Sequence, residues 1–260
     1  MIEQILFYWK RYGFLALIRK IYQKYFKVTI VHRVNPVEFF EQRQLAFTPF
    51  VFFADPQETS RLTLVTELES RNYAILDLTL LLSVSIAKQW EVQLRVISPR
   101  ETSKYRFSLL MHACGINYKD NIDFRSLENS NAGKPLEVSS DEIFMATGWQ
   151  IVWKLMSCVN DKQIIYLVHE QPELSAMSIA DKTNYLKVIH NYNIHFIFVT
   201  RTLYELYADK NNTSFQQNVW LDADSSFNPL TENASASTRW KNILNGITGY
   251  LDKVKTNASA

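Results

Sequence analysis

The feature that most constrains the fold is a regular alternation of short apolar runs with helix-like segments between residues 61 and 199. Runs such as Ile143–Ala146 and Ile164–Val168 are almost wholly apolar, which is typical of strands buried on both faces. Between such runs lie segments with apolar residues at helical spacing, for example Ala74–Lys88. Strands that alternate with helices form βαβ units, so the pattern predicts an α/β fold. We expect a single Rossmann-like, doubly wound, mostly parallel sheet.

The same periodicity gives bounds for the other elements and for the domain organisation. The further predicted strands are Leu62–Thr66, Val92–Ile97, Ile122–Phe124, Phe196–Val199 and Val219–Leu221, and the further predicted helices are Phe107–Ala113, Trp149–Ser157, Ser178–Asn191, Leu203–Asp209 and Thr238–Val254. We therefore divide the chain into an N-terminal arm (1–34), an irregular connector (35–60), an α/β domain (61–236) and a C-terminal helix with its tail (237–260). Residues 129–135 are predicted to form a polar loop.

The N-terminal arm differs in charge from the rest of the chain. Residues 1–33 contain seven basic residues and one acidic residue, so the remainder is acidic although the whole chain carries +2. From Phe14 onward, apolar residues and lysines fall on opposite sides of a predicted helix, which is typical of a helix that lies on an anionic membrane surface. A helix packed on its own domain is the alternative. The membrane-binding candidates are Trp9, Lys10, Arg11, Arg19, Lys20, Lys24 and Lys27.

Composition argues against several functional classes. With only 6 glycines, a Gly-rich loop that binds nucleotide phosphates is not expected. No His/Cys spacing predicts a metal site, so we expect neither a metal nor another cofactor. The acidic body is a poor partner for nucleic acid. Cys114 and Cys158 are the only cysteines, which favours a reducing, cytoplasmic compartment.

Polar residues follow two apolar strands that we expect to be neighbours. Thr147 and Trp149 come after Ile143–Ala146, and His169 and Glu170 come after Ile164–Val168. In open α/β sheets ligands bind at the carboxyl ends of the strands, so both pairs would face one crevice. There His169 and Glu170 could act as general bases, and Thr147 and Trp149 could contact a sugar. Each also has an ordinary structural explanation, such as a helix cap or a core position.

Two runs around these residues carry a family resemblance. The run from Asp141 to Trp149, Asp-Glu-Ile-Phe-Met-Ala-Thr-Gly-Trp, resembles the strand motif D-x-F-x-A-T-x-W. The run from Tyr166 to Glu173 resembles the motif Y-x-V-Q-D-x-E. Both motifs are found in the N-terminal domain of rhamnosyltransferase-like glycosyltransferases of the GT-B fold, which build bacterial surface polysaccharides. The resemblance extends over residues 60–200.

The resemblance implies an acceptor-binding domain that works with a donor-binding domain. Here Thr66–Glu69 replaces a glycine pair, His169–Glu170 replaces Gln-Asp, and the later acid is shifted to Glu173. Glu67 and Glu173 thereby join the substrate-binding candidates, with solvated surface charges as the alternative. Few residues follow Val199, so we expect a GT-B-like half that lacks the donor domain but keeps a terminal helix crossing back.

The implied function is surface-polysaccharide biosynthesis (O-antigen, capsule or S-layer glycan) at the inner face of the cytoplasmic membrane. The implied partners are a glycosyltransferase or polysaccharide-assembly protein, a nucleotide-sugar or glycan acceptor, and the membrane surface. Whether the chain is itself a glycosyltransferase is left open. The alternative is a non-catalytic, membrane-peripheral α/β scaffold that binds another protein.

Overall fold

We describe the protein from a computed structural model. It describes residues 50–55, 57–66, 73–98, 104–118, 122–126, 134–211, 219–221, 230 and 235–258. The predicted membrane-binding residues of the N-terminal arm, the connector up to residue 49 and the candidate Glu67 lie outside the described residues.

Eight strands and six α-helices are present in the described part of the chain. The strands are β1 (Phe50–Ala54), β2 (Arg61–Val65), β3 (Gln93–Ser98), β4 (Asp123–Ser126), β5 (Lys134–Val138), β6 (Ile143–Ala146), β7 (Ile164–Val168) and β8 (His195–Phe198). The helices are α1 (Tyr73–Trp90), α2 (Lys104–Ala113), α3 (Trp149–Leu155), α4 (Ile179–Ile189), α5 (Arg201–Asn211) and α6 (Ser235–Ala258).

Six of these strands form one sheet in the order β4-β3-β2-β6-β7-β8, and all of its pairings are parallel. Counted along the chain within this sheet, the order is 3-2-1-4-5-6, the arrangement of Rossmann-like folds. A bridge from Phe198 to Trp220 continues the sheet beyond β8 in parallel. The predicted Rossmann-like, parallel α/β architecture is therefore confirmed.

Alternate side chains of the strands enter two separate hydrophobic cores. Leu62, Leu64 and Met145 face a core shared with α1, α2 and α6. Phe144 and Val168 face a second core, shared with α3, α4 and α5. Because successive strand residues point to opposite faces, strands buried on both sides must be apolar throughout, which explains their continuous apolar runs.

The predicted bounds of β6 and β7 agree with the structure, and the other confirmed elements differ by a few residues at their ends. The structure adds two strands that the sequence did not predict. β1 lies within the predicted connector, and β5 includes Lys134 and Pro135 of the predicted loop. These two strands pair in parallel, from Phe50 opposite Lys134 to Ala54 opposite Val138, and form a separate small sheet.

Helix α6 closes one face of the domain by packing on α1. The buried ring of Trp240 donates a hydrogen bond from Nε1 to Ser85 Oγ at 3.0 Å. Near the other end, Lys255 Nζ donates to the carbonyl of Trp90 at 2.8 Å. Apolar residues at helical spacing, including Ile243 and Ile247, enter the core between these two contacts.

Candidate functional site

The carboxyl edge of the sheet has a switch point between the neighbouring strands β2 and β6. Helix α1 follows β2 and packs in one core, whereas α3 follows β6 and packs in the other, so the chain leaves the two strands in opposite directions. In open α/β sheets the crevice at such a point is the usual ligand site. Thr66 and Thr147 follow these strands, and Thr147 Oγ1 donates a hydrogen bond to Thr66 Oγ1 at 3.0 Å. Both side chains are buried, and their hydrogen bond joins the ends of the two strands.

Strand β7 is the next strand along the same edge, as the sequence predicted. Ala146 pairs with Tyr166, which puts Thr147 level with Leu167 and His169 two residues further along. Because a strand rises by about 3.3 Å per residue, His169 lies further along the strand direction than the threonine pair does. The two predicted groups thus belong to adjacent strand ends, with Thr147 buried and His169 half-buried.

His169 is the half-buried member of the pair that ends β7. Burial lowers its pKa below the ordinary value, and the charge of the neighbouring Glu170 opposes this shift. Its imidazole is therefore largely neutral near pH 7, which is the form that can accept a proton. The Glu170 side chain is exposed, while its backbone carbonyl accepts a hydrogen bond from Tyr207 Oη at 2.9 Å. This bond ties the loop that carries both candidates to helix α5.

The remaining predicted site residues lie elsewhere. Trp149 is 7% exposed and packs edge-to-face on Tyr185, with ring centroids 5.9 Å apart, so its ring belongs to the core. Glu173 is exposed and accepts a hydrogen bond from Ser175 Oγ at 2.9 Å. The structure therefore brings Thr147, His169 and Glu170 to neighbouring strand ends, with Trp149 beneath them and Glu173 further along the loop.

Sequence reasoning missed an ion pair near this edge. Asp77 lies in the second turn of α1, is 1% exposed, and accepts a hydrogen bond from Arg106 Nε at 2.9 Å. Arg106 Nη2 contacts the second carboxylate oxygen, so the pair is bidentate and joins α1 to α2. Burial raises the pKa of Asp77, and Arg106 opposes this rise. The one signal in the sequence was an acid within an otherwise apolar helix segment.

The described residues contain no group of three or more His, Cys, Asp or Glu side chains that could hold a metal ion. None of the helices in the described ranges has the length and apolar character that a membrane span requires. Comparison of the chain with family models, with curated proteins and with solved structures finds no match.

Proposed function

We propose that this protein is a glycosyltransferase-related protein of bacterial surface-polysaccharide biosynthesis. It would be a GT-B-like half that acts with a partner enzyme at the cytoplasmic face of the membrane. The observation that carries the proposal is the adjacency of β6 and β7 in a 3-2-1-4-5-6 sheet. The polar ends of the two runs that resemble glycosyltransferase motifs would then face one crevice at the carboxyl edge.

The docking of α6 gives independent support. In the GT-B enzymes that the sequence resembles, a C-terminal helix crosses back to the N-terminal domain. Here α6 packs on α1 through the buried Trp240 and the Lys255 contact with the Trp90 carbonyl. Helix α6 therefore covers the face of the domain at α1, as the resemblance requires of such an N-terminal half. Similarity of fold supports glycosyl transfer as a hypothesis, but only the chemistry of the site can establish that activity.

Within the proposal, His169 and Glu170 are the groups that meet the ligand. A neutral imidazole can take the proton of an acceptor hydroxyl, and a carboxylate beside it can hold a second hydroxyl. Thr147 has a structural part in this arrangement, because its hydroxyl is buried against Thr66. The ligand class is a glycan acceptor or the sugar portion of a nucleotide-sugar, both of which present several hydroxyls.

One observation favours a non-catalytic alternative. Of the candidates at the carboxyl edge, Trp149 packs in the core and Thr147 is bonded to Thr66, which leaves the half-buried His169 and the exposed Glu170. Two such groups suit a binding groove as well as a reaction centre. A membrane-peripheral scaffold or protein-interaction module would use the same edge to hold a partner protein.

Ligand titration of the full chain tests the proposal. We expect nucleotide-sugars or oligosaccharides to cause saturable NMR shifts at residues after β6 and β7. His169→Gln and Glu170→Gln should weaken binding about tenfold each, the size expected for loss of one charge-assisted or well-placed hydrogen bond. His112→Gln, an exposed histidine in the last turn of α2, is the matched control and should bind as the wild type does.

Co-purification tests the partner. A C-terminally tagged chain should recover a glycosyltransferase or polysaccharide-assembly protein in stoichiometric amount. Saturable binding of a sugar ligand without such a partner would favour a chain that acts alone. If no sugar ligand binds and the recovered partner has no role in glycan synthesis, the scaffold alternative replaces the proposal.

A further inference from the structure

Three arginines converge on a cavity at the opposite, amino edge of the sheet. The cavity has a volume of about 240 Å³ and is lined by Arg61, Arg95, Arg125, Asp123, Leu136 and Glu137, among others. Arg61 begins β2, Arg95 lies in β3, and Arg125 lies in the edge strand β4. The small sheet contributes Leu136 and Glu137, so the unpredicted strand β5 forms one wall.

A fully buried carboxylate fixes the innermost arginine. Glu142, just before β6, is 0% exposed and accepts a hydrogen bond from Arg95 Nη1 at 3.1 Å. It also accepts from the Thr63 hydroxyl and from the backbone N–H of Ser139. Burial raises the pKa of Glu142, and the guanidinium groups of Arg95 and Arg61 oppose this rise. Arg95 therefore has a single, well-defined position.

Two further acids, Asp123 and Asp55, are engaged by arginines. Asp123 bridges two of them, with its carboxylate 3.3 Å from Arg95 Nε and 2.7 Å from Arg125 Nε. Asp55 lies 2.7 Å from Arg61 Nη2. These contacts use the Nε edges of two guanidinium groups and hold their planes in place, which is the preorganisation that bidentate recognition needs.

Some of the donors around the cavity are not engaged. Among the described residues, Nη2 of Arg95 and both Nη atoms of Arg125 have no hydrogen-bond partner. The Arg95 side chain is only 5% exposed, but its Nη2 keeps access to solvent, so an incoming ligand can reach this donor. An acceptor in the cavity would form charge-assisted hydrogen bonds with these donors.

We propose that this cavity binds the oxyanion head group of a small molecule, a phosphate or a carboxylate, between Arg95 and Arg125. A guanidinium fork matches both head groups. The cavity is smaller than the roughly 300–1,000 Å³ of sites for drug-sized ligands, so the ligand is a small metabolite or the head group of a lipid. The site lies at the edge opposite to the crevice and does not depend on the proposed glycan function.

Titration of the full chain, observed at the arginine Nε–Hε signals, tests the proposal. Inorganic phosphate and acetate should each shift the Arg95 and Arg125 signals saturably. Arg125→Gln should weaken binding about tenfold. Arg125→Lys keeps the charge but loses the guanidinium fork, so its affinity should lie between those of the wild type and Arg125→Gln. Arg125 is 46% exposed, so its replacement leaves the buried contacts of Glu142 intact. Anionic phospholipid vesicles form a third arm, and binding confined to them would identify a lipid head group as the source.

Arg201→Gln is the matched control. Arg201 is an exposed arginine that also contacts a carboxylate through Nε, at 2.8 Å from Glu205, but it lies on α5 away from the cavity. This variant should bind phosphate as tightly as the wild type. The proposal fails if phosphate, acetate and vesicles leave the Arg95 signal unchanged at concentrations that already shift Arg201. It also fails if both glutamine variants weaken binding equally.

Discussion

The two edges of the parallel sheet differ sharply in chemistry, although the same strands build both. At the amino edge, Glu142 and its arginine partners form a buried, charged network around a cavity. At the carboxyl edge, the described polar groups next to β6 and β7 are the buried hydroxyl of Thr147, the half-buried imidazole of His169 and the exposed carboxylate of Glu170. Strand β6 therefore joins two different environments: the acid before its start anchors the fold, and the threonine after its end lies at the carboxyl edge.

This difference changes the interpretation of the motif-like run from Asp141 to Trp149. Asp141 accepts a hydrogen bond from the Ser60 hydroxyl, and Glu142 fixes Arg95, so both acids have structural partners at the amino edge. Trp149 has a structural explanation too, in its packing on Tyr185. Most of the run thus specifies the fold, and Thr147 is the member of the run whose hydroxyl lies at the carboxyl edge.

The largest effect should come from breaking the amino-edge network. Glu142→Ala removes the buried carboxylate that Arg95, Arg61 and Thr63 share, and leaves Arg95 Nη1 with the Glu137 carbonyl as its remaining acceptor. We expect a loss of about 3–5 kcal/mol in the free energy of unfolding, measured by urea denaturation. Glu142→Gln, which keeps an acceptor for Thr63, should cost less.

An exposed ion pair provides the control for that prediction. Glu205→Gln disrupts the contact with Arg201 on α5, where both side chains are more than half exposed. Its cost should be no more than about 0.5 kcal/mol. If Glu142→Ala were equally mild, the amino edge would not anchor the fold and the contrast between the edges would disappear.

A smaller effect is expected at the carboxyl edge. Thr147→Val keeps the shape of the side chain but removes its hydrogen bond to Thr66. Loss of one buried hydroxyl bond should lower the free energy of unfolding by about 1–2 kcal/mol. In a double-mutant cycle with Thr66→Val, the two costs should be less than additive, because both variants delete the same bond. Additive costs would show that the hydroxyls act independently.

The sequence predicted the elements that local pattern determines. The runs that became β6 and β7 are apolar throughout, and the spacing of Leu78, Leu82 and Ile86 is helical, so pattern alone located them. It did not predict β1 or β5, because a two-stranded parallel pair depends on partners more than 80 residues apart in sequence, such as Phe50 and Lys134.

The same limit applies to the sites. Residues directly after strands could be predicted for the carboxyl edge, because the rule for parallel sheets needs only the strand ends. Glu142 gave no such signal, since its partners Arg61 and Arg95 lie on two other strands and meet it only in the folded sheet. Burial of a charge depends on tertiary structure, and periodicity does not report it.

The smallest effect depends on pH and compares two histidines, one near each edge. His195 begins β8 at the amino edge, hydrogen-bonds the backbone of Lys162, has no partner for Nε2 among the described residues, and packs edge-to-face on Tyr250. His169 follows β7 at the carboxyl edge. Burial lowers the pKa of both below the ordinary 6.5. The unfolded chain therefore binds more protons, so stability is fully present above about pH 6.5 and falls as the pH drops toward the folded pKa.

Each histidine can contribute a slope of at most about 1.4 kcal/mol per pH unit. Urea unfolding between pH 7.5 and 5 should show a decline that His195→Phe reduces more than His169→Gln does. The reason is that the buried Nε2 of His195 must become charged with no acceptor beside it, whereas protonated His169 gains from the charge of Glu170. If His169→Gln reduced the decline in stability more than His195→Phe does, His169 would be the more strongly desolvated of the two imidazoles. That result would strengthen its assignment as the proton acceptor at the carboxyl edge.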